Sequence, residues 1–537
     1  MNPQKRNFHL GIIPFALIAL VVAFLAYQFL IKPNQAKITS LVAPEKEQPG
    51  SILGLDFGEI SQTPVSPASA NASVDATDVI KPDLIIQVPD YEGYAALYLA
   101  NNGPKPNHNC LFYKMFGLTV KIVYNPDMIK ARELWAGGEF DAVASTCDTH
   151  PLDAATPTNP SQAKFFMLTS RSTGNDKAGA KLDIKKVEDF VGKTIAYAPF
   201  GPSQTFQVAV LSTGQVDNSQ VKHIQVNSSQ EALNALLDNK ADIAFYWGGG
   251  SKQKMGDKYH NIVTTRDIPK LIFDGLSAFE KDLLAKKESF QALYQGILIT
   301  NAELKRSKKS RQKAAQLMAA DYGKPYDEVF EILDNEDVTL ATHGDNLDFF
   351  GFNAAYTGMT GQGMYKKSAR MWLTLKALLN SAPTWSKASY TDLVKSAKFE
   401  GTNQAAAKPI IFDPVKQGEN FTAFATSIVY LHFPTNGWTL DTNAEVKIDE
   451  DIVPILQEWE AKRIRITGHT DDVGSAQANE VLSKKRALSV KNYLVSYWGI
   501  DSHRLLDDGK GESQPYAKGT DAKSRKLNRR VEIEILN

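Results

Sequence analysis

The hydrophobic pattern of this chain changes character along its length. Leu10 to Ile31 is almost uninterrupted apolar sequence, about the length that crosses a hydrocarbon core, with Lys5 and Arg6 before it. That charge asymmetry places the N-terminus in the cytoplasm and everything after Lys32 outside. Neither Ala26-Tyr27-Gln28 nor Lys32-Pro33-Asn34 makes a good small-x-small cleavage site, so the segment reads as an uncleaved anchor, 1–32, rather than a signal peptide. Pro33 to Pro82 is rich in Pro, Ser, Ala, Thr and Gln with little periodicity. It reads as a flexible tether, 33–82, whose mean span as a coil is about 35–42 Å.

From Leu84 to Ala382 short apolar runs alternate with segments of helical length. The runs are Leu84–Val88, Val120–Tyr124, Asp141–Ala144, Thr194–Tyr197 and Ile243–Tyr246, and the intervening segments include Ile129–Ala136 and Ser229–Asp238. This rhythm predicts an α/β domain, 83–382, with mostly parallel sheets, and its length suits two lobes that close on a ligand. A linker follows at 383–408, with a short charged helix over Thr391–Lys398. In the last region, 409–537, Arg463 to Thr467 alternates charged and apolar residues as a half-buried strand does, and Gly468 ends it. Asp471 therefore belongs to a loop at a strand end. From Asn479 to Trp498 the period is helical: Leu482, Val490, Tyr493 and Leu494 share one face, and Lys484, Lys485, Lys491 and Asn492 the other. Asn479, Ser483 and Arg486 fall in the middle of the apolar stripe. A guanidinium there needs a partner, either a ligand or a core carboxylate such as Asp471.

Composition narrows the partners. The 60 basic and 60 acidic residues give a formal charge of +0, which argues against nucleic acid. Cys110 and Cys147 are the only cysteines, and they read equally as one disulfide or as two buried thiols. His108 and His150 lie near them without metal-ligand spacing. No nucleophile elbow, phosphate-binding loop or acid–base pair is recognisable, so neither catalysis nor a cofactor is expected.

Two resemblances sharpen this. The string Gly468-His-Thr-Asp471, with Gly474, Asn479, Leu482, Ser483 and Arg486, then Gly509-x-Gly-Glu-x-x-Pro515 and Asn528-Arg-Arg-Val-Glu-Ile533, resembles the OmpA-like peptidoglycan-binding domain over roughly Pro409 to Asn537. The resemblance implies that Asp471 takes the ammonium, and Arg486 the carboxylate, of the free end of diaminopimelate in the wall peptide. Thr470, Asn479, Leu482, Arg529 and Arg530 match supporting positions. By period two, Val531, Ile533 and Ile535 face one side of the last strand, and Arg530, Glu532 and Glu534 the other, which makes one of the two arginines a candidate for plain surface.

In the middle domain, Val120–Asn125, Ala131–Ala142, Ser172–Asp176, Val187–Ala196 and Glu231–Asp242 resemble the type II periplasmic solute-binding proteins. The nearest branch is the one for nitrate, sulfonates and thiamine-pyrimidine precursors. In such proteins the ligand lies between the lobes on strand-end loops. The matching loops hold Tyr91, Glu92 and Gly93; Ser145, Thr146, Cys147 and Asp148; Gly201, Pro202 and Ser203; and Tyr246 with Trp247. Gly201–Thr205 opens a helix whose N–H groups and Ser203 hydroxyl could cradle an anion, or Ser203 could be a plain N-cap. Tyr91 and Trp247 could stack on an organic ligand or belong to the core. Asp148 and Glu92 point instead to a cation, and the sign of the ligand's charge stays open. The branch's pyrimidine synthases use a cysteine-rich iron motif, which two isolated cysteines cannot supply.

The combined expectation is a single-pass inner-membrane protein with its bulk in the periplasm. It would bind diaminopimelate-type peptidoglycan and a small polar solute for uptake or sensing, with an ABC transporter as a candidate partner. The alternative is a purely structural tether with a non-functional pocket. A motor stator is disfavoured because 10–31 carries no carboxylate to move protons.

Overall fold

A computed structural model describes residues 80–155, 161–249, 254–356, 358–399, 404–408, 410–416, 418–434 and 436–537. The expected membrane segment, and the tether up to residue 79, lie outside them. Among the described residues no helix is long and apolar enough to cross a membrane.

The middle domain has two lobes. The first opens with β1 (Leu84–Val88), β2 (Val120–Tyr124), β3 (Ala142–Thr146) and β4 (Ala163–Ser172). The second holds β5 (Asp176–Lys181), β6 (Thr194–Tyr197), β7 (Lys222–Gln225), β8 (Ile243–Trp247) and β9 (Tyr259–Thr264). Strands β10 (Phe273–Phe279) and β11 (Val338–Leu340) return to the first lobe. Its sheet runs β11-β4-β10-β3-β1-β2 and that of the second lobe β7-β6-β8-β5-β9. Pairing is parallel among β1, β2 and β3 and among β6, β7 and β8. Strands β4, β5, β9, β10 and β11 pair antiparallel, so the sheets are mixed where mostly parallel ones were expected. The cause is the double crossing between lobes. The chain leaves the first lobe between β4 and β5 and comes back between β9 and β10, which forces the returning strand to run against its neighbours.

β10 is buried along its whole length and β4 almost so, because helices cover both faces. On one face Phe166 meets Phe290 of the helix Lys287–Arg306, edge to face at 5.3 Å, and the Asn301 amide donates to the Thr169 and Ala341 carbonyls. On the other face Phe165 packs on Phe349 and Trp385. Trp385 belongs to the segment whose composition reads as linker. That segment carries the expected short helix, at Asp392–Ser396, and a further one, Trp385–Ala388, with Leu393 and Val394 buried and the Tyr390 N–H bonded to the Phe165 carbonyl at 2.9 Å. Three apolar anchors in a polar stretch are enough to hold it on the domain. Cys110 and Cys147 are separate buried thiols.

The C-terminal domain is a four-stranded sheet, β12 (Ala423–Val429), β13 (Arg463–His469), β14 (Leu505–Gly511) and β15 (Val531–Leu536), in the order β12-β15-β13-β14. The helix Ala476–Trp498 lies on β13 and β14 and buries Asn479, Ser483, Arg486, Ala487, Val490 and Leu494, close to the expected stripe. Two glycines of the motif allow this close approach. A Cβ on Gly468 would lie 2.2 Å from the Ser483 carbonyl oxygen, and one on Gly509 would lie 2.4 Å from the Lys484 nitrogen. The domain sits on the second lobe through Trp459, whose indole N–H donates to the Thr213 hydroxyl at 3.1 Å, and through Ser427, which donates to the Thr213 carbonyl at 2.7 Å. Lys462 pairs with Asp267 at 2.9 Å, Lys270 with Glu460, and Lys367 with Glu458.

Because backbone rather than a flexible side chain blocks the added methyl, Gly468→Ala is expected to cost about 1–3 kcal/mol. Urea denaturation followed by fluorescence checks it. Lys484→Ala, exposed on the same helix, is expected to change stability by no more than about 0.5 kcal/mol. Equal midpoints for the two variants would contradict the close-packing account.

Candidate functional site

At the end of β13, the Thr470 N–H bonds to the Gly511 carbonyl at 2.9 Å and turns the chain into the loop that carries Asp471. The Asn479 amide holds this loop from the helix, donating to the carbonyls of Asp471 and Val473 and, at 2.6 Å, to Glu512. Asn479 is thus a brace for the loop. Leu482 is half-buried on the same helix, and the Thr470 hydroxyl is buried with no hydrogen-bond partner among the described residues.

Asp471 does not pair with Arg486. Its Oδ2 accepts from Arg529 Nη1 at 2.5 Å, and Arg525 makes a two-pronged pair with the next residue, Asp472, at 2.6 and 3.2 Å. Arg486, only 7% exposed, donates through Nε to the Gly437 carbonyl at 3.0 Å and through Nη2 to the Pro434 carbonyl at 3.4 Å. Its guanidinium lies 5.0 Å from the Phe433 ring centre. No carboxylate among the described residues lies within salt-bridge distance of it. Burial pulls its pKa down, and nearby Asp471 offsets that only in part. A buried cation held by carbonyls and a ring face, next to an ion pair, is a place where an arriving carboxylate gains a two-pronged hydrogen bond.

Arg530 differs from the pattern-based expectation. It is 5% exposed, pairs with Glu532 at 2.6 Å and donates to the Gln514 carbonyl at 3.0 Å, so it braces the sheet end. Arg529, half exposed, is the arginine that reaches the loop. The period-two rule gives the face of a strand but not what covers it. The Phe433–Gly437 loop that holds Arg486 was not foreseen, since it carries no periodic signal.

The second candidate site is a narrow space between the lobes that opens to solvent. From the first lobe it is lined by Tyr91, Tyr94, Ser145, Thr146 and Asp274. The second lobe contributes Asp176, Pro202 and Trp247. Of the expected residues, Tyr91, Ser145, Thr146 and Trp247 meet here. Asp148, Gly201 and Ser203 do not line the space. Asp148 is fully buried, with the Thr146 and Thr205 hydroxyls beside its carboxylate. Gly201 is the N-cap residue of the helix Pro202–Thr213, and neither Ser203 nor Thr205 caps it; the Ser203 hydroxyl is buried without a partner among the described residues, and that of Thr205 lies beside Asp148.

Asp176, Asp274 and Tyr94 were not singled out from sequence. Asp176 closes the Ser172–Asp176 string at the first crossing, and Asp274 is the one charged residue in an otherwise apolar or small-residue strand, which is a usable signal of a buried acid with a purpose. The Tyr91 hydroxyl donates to Asp274 Oδ2 at 2.9 Å and that of Ser170 to the same oxygen at 3.2 Å. Asp176 Oδ2 has no partner among the described residues. Burial pushes Asp148 and Asp176 up to about 6, and burial with repulsion from both of them pushes Asp274 further. Glu92, also raised by burial, accepts from the Asn175 amide at 3.0 Å.

Comparison with known proteins gives two separate matches. Residues 432–529 match the OmpA family, and residues 111–321 match the NMT1/THI5-like family. The chain is 51% identical over 69 residues to outer membrane protein A of Bordetella avium, covering 13% of this chain and 35% of that protein. It is 35% identical over 86 residues to outer membrane porin F of Pseudomonas aeruginosa, covering 16% and 25%. The chain thus spans about a third or less of the length of these curated relatives. The periplasmic aliphatic sulphonate binding protein SsuA of Escherichia coli is a structural neighbour at TM-score 0.45 and 13% identity, covering 59% of this chain and 100% of that one. The chain therefore joins an NMT1/THI5-like domain in its middle to an OmpA domain at its C-terminus.

Proposed function

We propose that this is an envelope protein that grips peptidoglycan without covalent chemistry through its C-terminal domain and closes its two-lobed middle domain on a small polar solute. The observation that carries the wall-binding half is Arg486, a buried guanidinium with no carboxylate partner among the described residues, beside the Asp471–Arg529 pair. The free end of diaminopimelate offers the carboxylate that Arg486 lacks and an ammonium that Asp471 takes beside Arg529. A planar guanidinium takes that carboxylate through two parallel bonds while keeping its bond to Gly437. Thr470, Asn479 and Leu482 shape the loop and helix around the pair, Arg529 tunes Asp471, and Arg530 supports the strand end.

The solute half rests on a cleft lined from both lobes and on buried polar groups that lack partners. Contacts completed only in the closed state would supply the closure energy. With 10–31 as an inner-membrane anchor and 33–82 as its tether, one end of the chain is fixed in the bilayer and the other on the wall, with the bulk of the chain in the periplasm. The closed domain then either hands solute to an ABC transporter or reports it to a partner.

Asp471→Ala and Arg486→Ala are each expected to abolish pull-down by diaminopimelate-type peptidoglycan with the melting temperature held within a few degrees. Arg486→Lys is expected to weaken binding by at least about tenfold, because an ammonium cannot reproduce the fork. Retained pull-down in both alanine variants would sink the assignment. For the cleft, a thermal-shift panel of nitrate, ethanesulfonate, phosphate and amines is expected to show a rise with at least one class. A flat response across the panel would favour a purely structural tether.

A further inference from the structure

The cleft's lining bears on the sign of its ligand. Among the described residues no lysine or arginine lines the space, whereas Asp176 and Asp274 do, and Asp148 and Glu92 are buried nearby. Nearby cations are already engaged. Arg132 pairs with Asp153 at 2.6 Å and Lys324 with Asp90 at 2.7 Å. Lys177, itself buried, donates to the Asn175 and Gly248 carbonyls at 3.1 and 3.0 Å. Four buried carboxylates thus face one buried ammonium.

The expected anion cradle at Gly201–Thr205 offers few free backbone donors. Pro202 at the helix start has no N–H, and the N–H groups of Gln204 and Thr205 both bond to the Gly201 carbonyl, at 3.1 and 3.2 Å. An incoming nitrate or sulfonate would meet buried acids and only neutral donors, the Trp247 indole among them, with no lining cation among the described residues. Asp176, 1% exposed, aims an unpartnered Oδ2 at the site, and the Trp247 indole N–H is also buried and unpartnered. Tyr91 and Tyr94, edge to face at 6.1 Å, and Trp247 add ring faces of the kind that attract a cation. Pro89, Met128 and Ile272 complete an apolar lining that suits a carbon skeleton and not a bare metal ion.

We propose that the interlobe cleft takes a small organic cation, a protonated amine or amidine, held by the carboxylates of Asp176 and Asp274 and by the faces of Tyr91, Tyr94 and Trp247. The inference rests on the solute-binding reading and narrows it to a charge class. Burial raises Asp148, Asp176 and Asp274, and repulsion from neighbouring acids adds to this at Asp176 and Asp274, the condition that an opposite charge relieves.

Putrescine, benzamidine, ethanesulfonate, nitrate and magnesium, each tested by thermal shift and calorimetry on the wild-type protein, decide the matter. Putrescine or benzamidine is expected to raise the melting temperature by at least about 2 °C. Asp176→Asn is expected to weaken that binding by at least about tenfold while keeping the circular-dichroism spectrum. Trp247→Leu, which leaves the carboxylates in place, is expected to weaken it too and covers the case in which Asp176→Asn fails to fold. Binding of ethanesulfonate, nitrate or magnesium in place of the amines overturns the charge class and leaves a solute-binding domain standing. Amine binding that both variants retain overturns the placement. Silence from all five probes overturns the inference together with the solute-binding reading.

Discussion

A guanidinium can be taken out of water only if something else answers its charge, and Arg486 is taken out of water with only carbonyls and a ring to answer it. Leaving such a group uncompensated costs several kcal/mol, which a fold accepts where a ligand completes the site. The local architecture serves this residue. The helix Ala476–Trp498 carries it on its buried face, the Phe433–Gly437 loop bonds to it, and β13 ends so that Asp471 stands nearby without neutralising it. Arg529 occupies Asp471 instead. The acid is therefore held in place while the base stays available.

That arrangement depends on backbone contact between helix and sheet. Gly468 and Gly509 let the helix pass within van der Waals contact of β13 and β14, and the Ser483 hydroxyl accepts from the Gly511 N–H at 2.9 Å. A larger residue at either glycine would push the helix outward and carry Arg486 away from its loop. The same domain meets the second lobe through Trp459 and Thr213 and pairs Lys367 and Lys270 with adjacent glutamates, so the C-terminal domain and the middle domain share a packed seam. In the cleft the same physics runs with the sign reversed: buried acids exceed buried bases, and the surplus marks what the site lacks.

Much of this was legible in the sequence because the signals are local. Leu84–Val88, Val120–Tyr124 and Thr194–Tyr197 are strands over the expected residues, and the helical stripe from Asn479 to Leu494 is buried as its period requires. The rest depends on where distant segments meet. Asp176 and Asp274 face one space only because β10 returns antiparallel between β3 and β4, and no spacing rule links positions that far apart. The Asp471–Arg529 pair escaped for the same reason: helix periodicity brings Arg486 to mind and says nothing of the strand at the chain's end. Residues 385–396 look like linker by composition, yet Trp385, Leu393 and Val394 dock them on the middle domain.

The account's central claim is that Arg486 reads a carboxylate and Asp471 an ammonium on one amino-acid head. Diaminopimelate and lysine differ at the side-chain end by that carboxylate alone. Calorimetric titration of the protein with a wall tetrapeptide carrying diaminopimelate, and with its lysine counterpart, separates recognition of the whole head from capture of an amine. The account expects the diaminopimelate peptide to bind at least about tenfold more tightly, with most of the difference lost in Arg486→Ala. Equal affinity for the two peptides would contradict it.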